Sequence, residues 1–222
     1  MKIEIWSDFV CPFCYIGKAN LQQALSELST VGVDIVWRSF ELDATYPQNT
    51  PSGHYDLLQQ KYQLSREAAE AKCQQLAAVG ASCGLNMDFA HAQYSNTFLA
   101  HQLQHYAHSV SDAAATAINA ALFAASFEQG RDIGNMDTLV EIGVENGLDG
   151  GACRLALQQN AFATAVRIDE TAAQELQITG VPFFGFDGRL AVAGAQSIDA
   201  FKEVIQHILQ HDAAEDAKLL RH

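Results

Sequence analysis

Two stretches of alternating character, separated by one helical stripe, occupy the first forty positions, and their order restricts the chain more than any other feature. Lys2-Ile3-Glu4-Ile5-Trp6 repeats with period two, as a strand does. From Cys11 the period changes: Cys14, Gly17, Leu21, Ala24, Leu25 and Leu28 fall on one face of an α-helix. Thr30-Val31-Gly32 closes that helix, and Gly32 suits the positive φ of a helix exit. Residues 33–40 return to alternation and β-branched side chains. A strand–helix–strand unit of this kind makes its two strands parallel.

Beyond it the sheet signals stop. From about His54 to about Gln177 the chain is rich in Ala, Leu, Gln and Glu at helical spacing, with candidate helices at 55–63, 65–84, 97–108, 112–130, 137–147 and 152–159. Ser65 is placed to cap one of them, and Gly130 and Gly147 to stop two others. Strand chemistry resumes at Val181-Pro182-Phe183-Phe184-Gly185-Phe186 and at Arg189-Leu190-Ala191-Val192-Ala193. These flank Asp187-Gly188, the dipeptide of a tight type I′ hairpin. A last amphipathic helix starts at Ser197 and runs to about His211, with Phe201, Val204, Ile205, Ile208 and Leu209 on one face, and the charged tail after it is expected to fray. The order βαβ, helical insert, ββα predicts an α/β fold, with 1–53 and 178–222 in one domain and 54–177 as a helical insertion.

A length of 222 residues at 49% hydrophobic content is ample for a core of this design. The net charge of −13 would repel phosphate at every approach, which argues against nucleic acid or an anionic membrane as partner. No apolar run is long enough to span a bilayer. The N-terminus lacks the basic and apolar regions of a signal peptide, so the expected address is the cytoplasm. Five cysteines leave one over from any fully paired framework, and in a reducing compartment a close pair is more often catalytic or metal-binding than structural.

That pair is Cys11-Pro12-Phe13-Cys14, set between the first strand and the first turn of the following helix. Free N–H groups and the helix dipole favour negative charge there, so a Cys11 thiolate is stabilised and its pKa is expected to fall. Cys14 begins the apolar stripe and is expected to be shielded and poorly nucleophilic. An exposed acidic thiol beside a shielded one is the asymmetry that thiol–disulfide exchange requires. Pro12 suits a first helical turn. Asp8, three residues earlier, is placed to cap the helix. Two plainer readings compete. A zinc site would need two more ligands, and Cys73, Cys83 and Cys153 supply no second close pair beside a histidine, so no metal is expected. A pair of inert core cysteines is the other.

The second constellation is Gly180-Val181-Pro182-Phe183-Phe184, where a proline opens a late apolar strand. Together with Ser7-Asp8-Phe9-Val10-Cys11-Pro12-Phe13-Cys14, Arg38-Ser39-Phe40-Glu41-Leu42, Asn96-Thr97-Phe98-Leu99-Ala100-His101, Glu128-Gln129-Gly130-Arg131-Asp132-Ile133, Gly147-Leu148-Asp149 and Gly194-Ala195-Gln196, it resembles the DsbA-like thioredoxin-fold family, in particular its cytoplasmic FrnE-like branch. That family is related to 2-hydroxychromene-2-carboxylate isomerases and kappa-class glutathione transferases.

The resemblance implies a thioredoxin-like fold interrupted by a helical domain that covers the dithiol. It implies that Cys11 is the nucleophile and Cys14 its resolving partner, that Pro182 is a cis proline facing Cys11, and that Val181 lies beside the disulfide. Pro12 and Phe13 would complete the shell, and Asn96 to His101 would line the interdomain cleft; a satisfied helix histidine is the plainer reading of His101. Phe13 stands where Trp is common and Gln102 where a basic residue is common. No cofactor beyond the cysteine pair is implied; the partners would be protein or small-molecule thiols and disulfides, with glutathione as a candidate co-substrate. The alternative is a glutathione-dependent isomerase or transferase on the same fold, whose members typically carry serine where this chain has Cys11. Cys73, Cys83 and Cys153 are expected to stay reduced and dispensable.

Overall fold

The computed structural model describes residues 1–29 and 32–219, with side chains of the last helix described as far as Gln210. Strand β1 (Lys2–Ser7) leads into helix α1 (Pro12–Glu27) and strand β2 (Asp34–Ser39). β1 and β2 pair in parallel, from Lys2 opposite Asp34 to Ser7 opposite Ser39, as a strand–helix–strand crossover allows. Helix α1 ends at Glu27, and Ser29 already takes a φ of 50°. Thr30 and Val31, expected to close the helix, lie outside the described residues, while Gly32 has a φ of 69°.

The late hairpin comprises β5 (Phe183–Phe186) and β6 (Leu190–Ala193), numbered after the two short strands described below. β5 runs antiparallel to β1, with Ile5 opposite Phe184, and the sheet order is β2-β1-β5-β6. Asp187 and Gly188 take φ values of 50° and 64°, the doubly positive pair of a type I′ turn. The final helix α9 (Ile198–Leu219) is capped by Ser197, whose Oγ accepts the Ala200 N–H at 3.2 Å. It runs past the end expected near His211, and the tail at 220–222 lies outside the described residues. Phe201, Ile205 and Ile208 are buried as the periodicity predicts, whereas Leu209 is exposed.

Between β2 and β5 lie β3 (Ser52–Gly53), α2 (His54–Tyr62), α3 (Arg66–Ser82), β4 (Gln93–Tyr94), α4 (Phe98–Val110), α5 (Asp112–Phe127), α6 (Met136–Glu145), α7 (Gly150–Gln158) and α8 (Ala163–Glu175). The caps are local and readable. Ser65, Ser111, Asn135 and Asp149 each accept N–H bonds from the first turn of α3, α5, α6 and α7. Gly130 and Gly147 follow α5 and α6 with positive φ, the stops that were expected.

Two features depart from the expectation. β3 and β4 form a two-residue antiparallel ladder, Ser52 opposite Tyr94; β3 precedes the stretch read as helical and β4 falls within it. Helix α8 was not among the candidate helices. Its buried positions are Val166, Asp169 and Ala173, a helical stripe in which the middle member is a carboxylate, so hydropathy alone does not reveal it.

Helix α8 matters because it closes the second face of the sheet. On one face Ile3, Ile5, Phe184 and Phe186 pack on Leu21 and Ala24 of α1 and on Phe201, Ile205 and Ile208 of α9. On the other, Trp6 packs with Ala173 and Ile178, and the Trp6 Nε1–H donates to the Asp169 carbonyl at 3.1 Å. The remaining helices share one continuous core with the loop before α1 and its first turn, including Phe9, Val10, Cys11, Cys14, Tyr15 and Ile16. The start of α1 thereby lies between the sheet and the helical insert, with Cys11 and Cys14 buried and Phe13 left exposed.

Candidate active site

The loop from β1 into α1 is held from both ends. Phe9 packs, with tilted ring planes, against His101 and Phe123 at centroid distances of 5.0 and 5.1 Å. The Cys11 N–H donates to the Asp8 carbonyl at 3.1 Å, and the Cys11 carbonyl accepts from Cys14 N–H at 3.1 Å. Cys11 is the N-cap residue of α1, in extended conformation, and no side-chain hydrogen bond caps the helix. Cys11 therefore sits at the positive end of the α1 dipole, with no carboxylate in the first turn to oppose a thiolate there.

Asp8 does not cap this helix, contrary to the expectation. Its side chain is fully buried, and Oδ2 accepts the Leu42 N–H at 2.7 Å, across to the loop after β2. Oδ1 has no hydrogen-bond partner and lies 3.5 Å from Nε2 of His101. The carboxylate joins two loops that are distant in sequence, and that task draws it away from its own helix.

Both cysteines are free and both are buried, Cys11 at 4% and Cys14 at 2% exposure, so the expected contrast of an exposed and a shielded thiol is absent. Their surroundings differ instead. Cys11 lines a chamber of about 280 Å³ together with Pro12, Phe13 and Val181, while Cys14 does not reach it. Burial, and then the adjacent Cys11 sulfur, push the Cys14 thiol well above its usual range, against the pull of the Asp8 backbone and the Ser7 hydroxyl.

The Val181–Pro182 peptide bond is cis. The Cys11 thiol lies 3.7 Å from the Val181 carbonyl oxygen, which accepts from it. Gly17, on the next turn of α1, makes room for this loop: a β-carbon there would meet Phe184 Cζ at 3.1 Å and Pro182 Cγ at 3.2 Å. Of the residues singled out in the sequence, Cys11, Pro12, Phe13 and Val181 thus meet at one chamber, and Pro182 lines a separate depression beside it. Asn96 and His101 line neither. Asn96 Nδ2 donates to the Tyr46 carbonyl at 2.9 Å and its Oδ1 accepts the Phe98 N–H, so it fixes the start of α4.

Sequence reasoning missed three neighbours. His54 and Cys73 line the Cys11 chamber, and Lys18 is buried one turn beyond Cys14. The Lys18 ammonium lies over the rings of Trp37 and Phe123, at 5.5 and 5.4 Å, with no carboxylate partner among the described residues. A single charge in the otherwise uncharged first turns of α1 was the available signal. Burial pushes the Lys18 pKa down to about 7. Unfolded lysine keeps its proton to about pH 10.4, so across that window the unfolded chain binds more protons, and this group makes stability rise with pH. The penalty is complete below pH 7 and gone above the unfolded value. Lys18→Met should therefore stabilise the protein by about 1–3 kcal/mol at neutral and lower pH, reduced by the lost ring contacts. Urea titrations at several pH values check this, and the gain should shrink toward pH 10.

A family model described as a DSBA-like thioredoxin domain matches residues 2–206. The chain belongs to the DsbA-like thioredoxin domain family. It is 35% identical to a probable DsbA oxidoreductase of Streptomyces coelicolor, whose crystal structure superposes with a TM-score of 0.88 over 93% of this chain and 89% of that one. The uncharacterized protein YwbO of Bacillus subtilis is 29% identical, over 92% of this chain and 96% of its own length. The cytosolic disulfide reductase DsbM of Pseudomonas aeruginosa, solved with GSH, superposes at a TM-score of 0.64 and 18% identity, over 95% of this chain and 100% of that one. That likeness is one of fold alone. The α/β arrangement with a helical insertion is the architecture expected for this family.

Proposed function

We propose that this DsbA-like protein catalyses thiol–disulfide exchange, with Cys11 attacking and Cys14 resolving. One observation carries the reading. A thiol at the uncapped N-terminus of α1 lines a chamber, and one turn behind it stands a second thiol whose burial holds it protonated. The Cys11 thiolate attacks one sulfur of a substrate disulfide, and the other sulfur leaves as a thiolate. Cys14 then gives up its proton and attacks the Cys11 sulfur, releasing the second thiolate and closing Cys11–Cys14. The reverse sequence oxidises a dithiol.

Val181 and Pro182 form the wall against which a substrate sulfur would rest, and the Val181 carbonyl beside Cys11 supports that role. Pro12 and Phe13 complete the rim. Thiols and disulfides are the proposed partners, with glutathione as a candidate small thiol, in keeping with the GSH held by DsbM. No observation favours the isomerase or transferase alternative. The cysteine pair itself speaks against it. A cytoplasmic location is part of the proposal, in keeping with an odd cysteine count that admits no fully paired framework within the chain. Among the described residues no helix is long and apolar enough to cross a membrane.

The test is the order of alkylation in the reduced protein near neutral pH. Iodoacetamide should modify Cys11 well before Cys14. Cys73 and Cys153 should also label well after Cys11, since both are buried and burial pushes each thiol up to about 11. Peptide mass spectrometry that finds Cys14 modified first would reverse the assignment.

A further inference from the structure

The chamber at Cys11 does not end at the thiol. It runs on, across Phe13, Leu58, Tyr62 and Leu76, into a second chamber of about 630 Å³ between α2 and α3. Single apolar residues are common on protein surfaces, but Phe13, Tyr62 and Val79, exposed by 50%, 59% and 48%, gather along this one groove. The walls of the outer chamber are mostly α2 and α3, whose helical backbone groups are already hydrogen-bonded, so they offer apolar surface and charge but no ladder for a peptide strand. Together the two volumes suit a small molecule.

The charges are selective. No carboxylate lines either chamber, and the charged residues that do are Lys61 and Lys72. In a chain of net charge −13, Lys2, Arg38, Arg66, Arg131, Arg154, Arg167 and Lys202 each pair with a carboxylate. Among the described residues Lys61 and Lys72 pair with none. In the inner chamber His54 is buried among the rings of Phe89, Tyr94 and Phe127, and its Nε2 has no hydrogen-bond partner. Burial lowers its pKa to about 4, so the neutral ring keeps hydrogen-bonding capacity unused by the protein.

We infer that the groove of α2 and α3 selects small, anionic, aromatic disulfides for exchange at Cys11, with the apolar body on Phe13, Leu58, Tyr62 and Leu76 and the anionic group at Lys61 and Lys72. The inference rests on the exchange reading above and names its substrate class. The reduced protein supplies both electrons: Cys11 displaces one aryl thiolate, Cys14 displaces the other, and the Cys11–Cys14 disulfide forms as the aryl disulfide is reduced. A thiol reductant such as dithiothreitol returns the protein to its dithiol for the next turnover.

The probes are dithiobis(nitrobenzoate), which is aromatic and doubly anionic, neutral dithiodipyridine, and small polar bis(hydroxyethyl) disulfide. Single-turnover rates with the reduced protein are divided by the rates of the same probes with dithiothreitol, which removes intrinsic reactivity. The normalised rate should favour the dianion over the neutral aryl disulfide by about tenfold. Added salt should shrink the ratio, and Lys61→Ala with Lys72→Ala should abolish it, while Lys202→Ala, a charge loss on α9, leaves it unchanged. A ratio near unity, or one indifferent to both salt and the two lysines, overturns the inference. A disulfide-linked acidic aromatic peptide reduced faster than the dianion also overturns it, in favour of a peptide groove. If no probe releases thiol, including bis(hydroxyethyl) disulfide, it is the exchange reading that fails.

Discussion

Cys11→Ser should bring insulin disulfide reduction down to the uncatalysed rate and leave the thermal midpoint almost unchanged. The thiolate is the nucleophile of exchange, and a hydroxyl cannot replace it. The site is nevertheless small, buried and already close to a polar carbonyl, so a serine hydroxyl has the Val181 oxygen to meet. Cys14→Ser should fail differently. Attack by Cys11 remains, the resolving step is lost, and covalent adducts on Cys11 should accumulate, visible on non-reducing gels and by intact mass. Equal adduct formation by the Cys11→Ser and Cys14→Ser proteins would refute the division of labour between the two sulfurs.

A larger effect on stability is expected at Asp169→Ala, far from the dithiol. The Asp169 carboxylate, 2% exposed, accepts from Arg38 Nη1 at 2.9 Å, from the Ser39 N–H at 2.9 Å and from His105 Nε2 at 3.0 Å. It thus ties α8 and α4 to β2. Removing it leaves the buried Ser39 N–H without its acceptor and takes one partner each from Arg38 and His105, which keep Glu4 and the Ser39 hydroxyl. With Arg38 30% exposed, the loss should be about 2–4 kcal/mol, below that for a fully buried pair. The urea midpoint should fall with the slope unchanged, and Asp169→Asn should lose less. Burial raises the Asp169 pKa, but the His105 contact, the Ser39 N–H and Arg38 outweigh it, so the folded pKa lies below the usual carboxylate value. Such a group stabilises fully above about pH 4 and loses that contribution as pH falls through its folded value. The gap between wild type and Asp169→Asn should close in acid. A gap that persists there would mean that the carboxylate acts by packing and not by charge.

The parallel pairing of β1 with β2 and the hairpin of β5 with β6 were legible because both rest on short-range rules: one helical stripe between the first two period-two stretches, and Asp187-Gly188 between the last two. The antiparallel seating of β5 on β1, which sets the order β2-β1-β5-β6, joins the two ends of the chain and was not read from the sequence. The caps at Ser65 and Ser197 and the stops at Gly130 and Gly147 are local for the same reason. The Cys11-Pro12-Phe13-Cys14 placement at a helix N-terminus also follows from adjacent residues alone.

What the tertiary structure decided is where buried polar groups find their partners. Asp8 sits beside α1 in sequence, yet its carboxylate serves the Leu42 N–H, because a fully buried carboxylate must take whatever donor the packed loops bring. Asp169 interrupts an apolar stripe, and only the arrival of Arg38, Ser39 and His105 from other elements makes that helix face burial-competent. Cys11 is buried because the helical insert packs on a loop that the sheet alone would leave open. The groove that continues from it, with His54, Lys61 and Lys72, is made by α2 and α3 docking against Phe13. A sequence period reports one element's face; it carries no record of which distant element will cover that face, or of what a covered charge will meet.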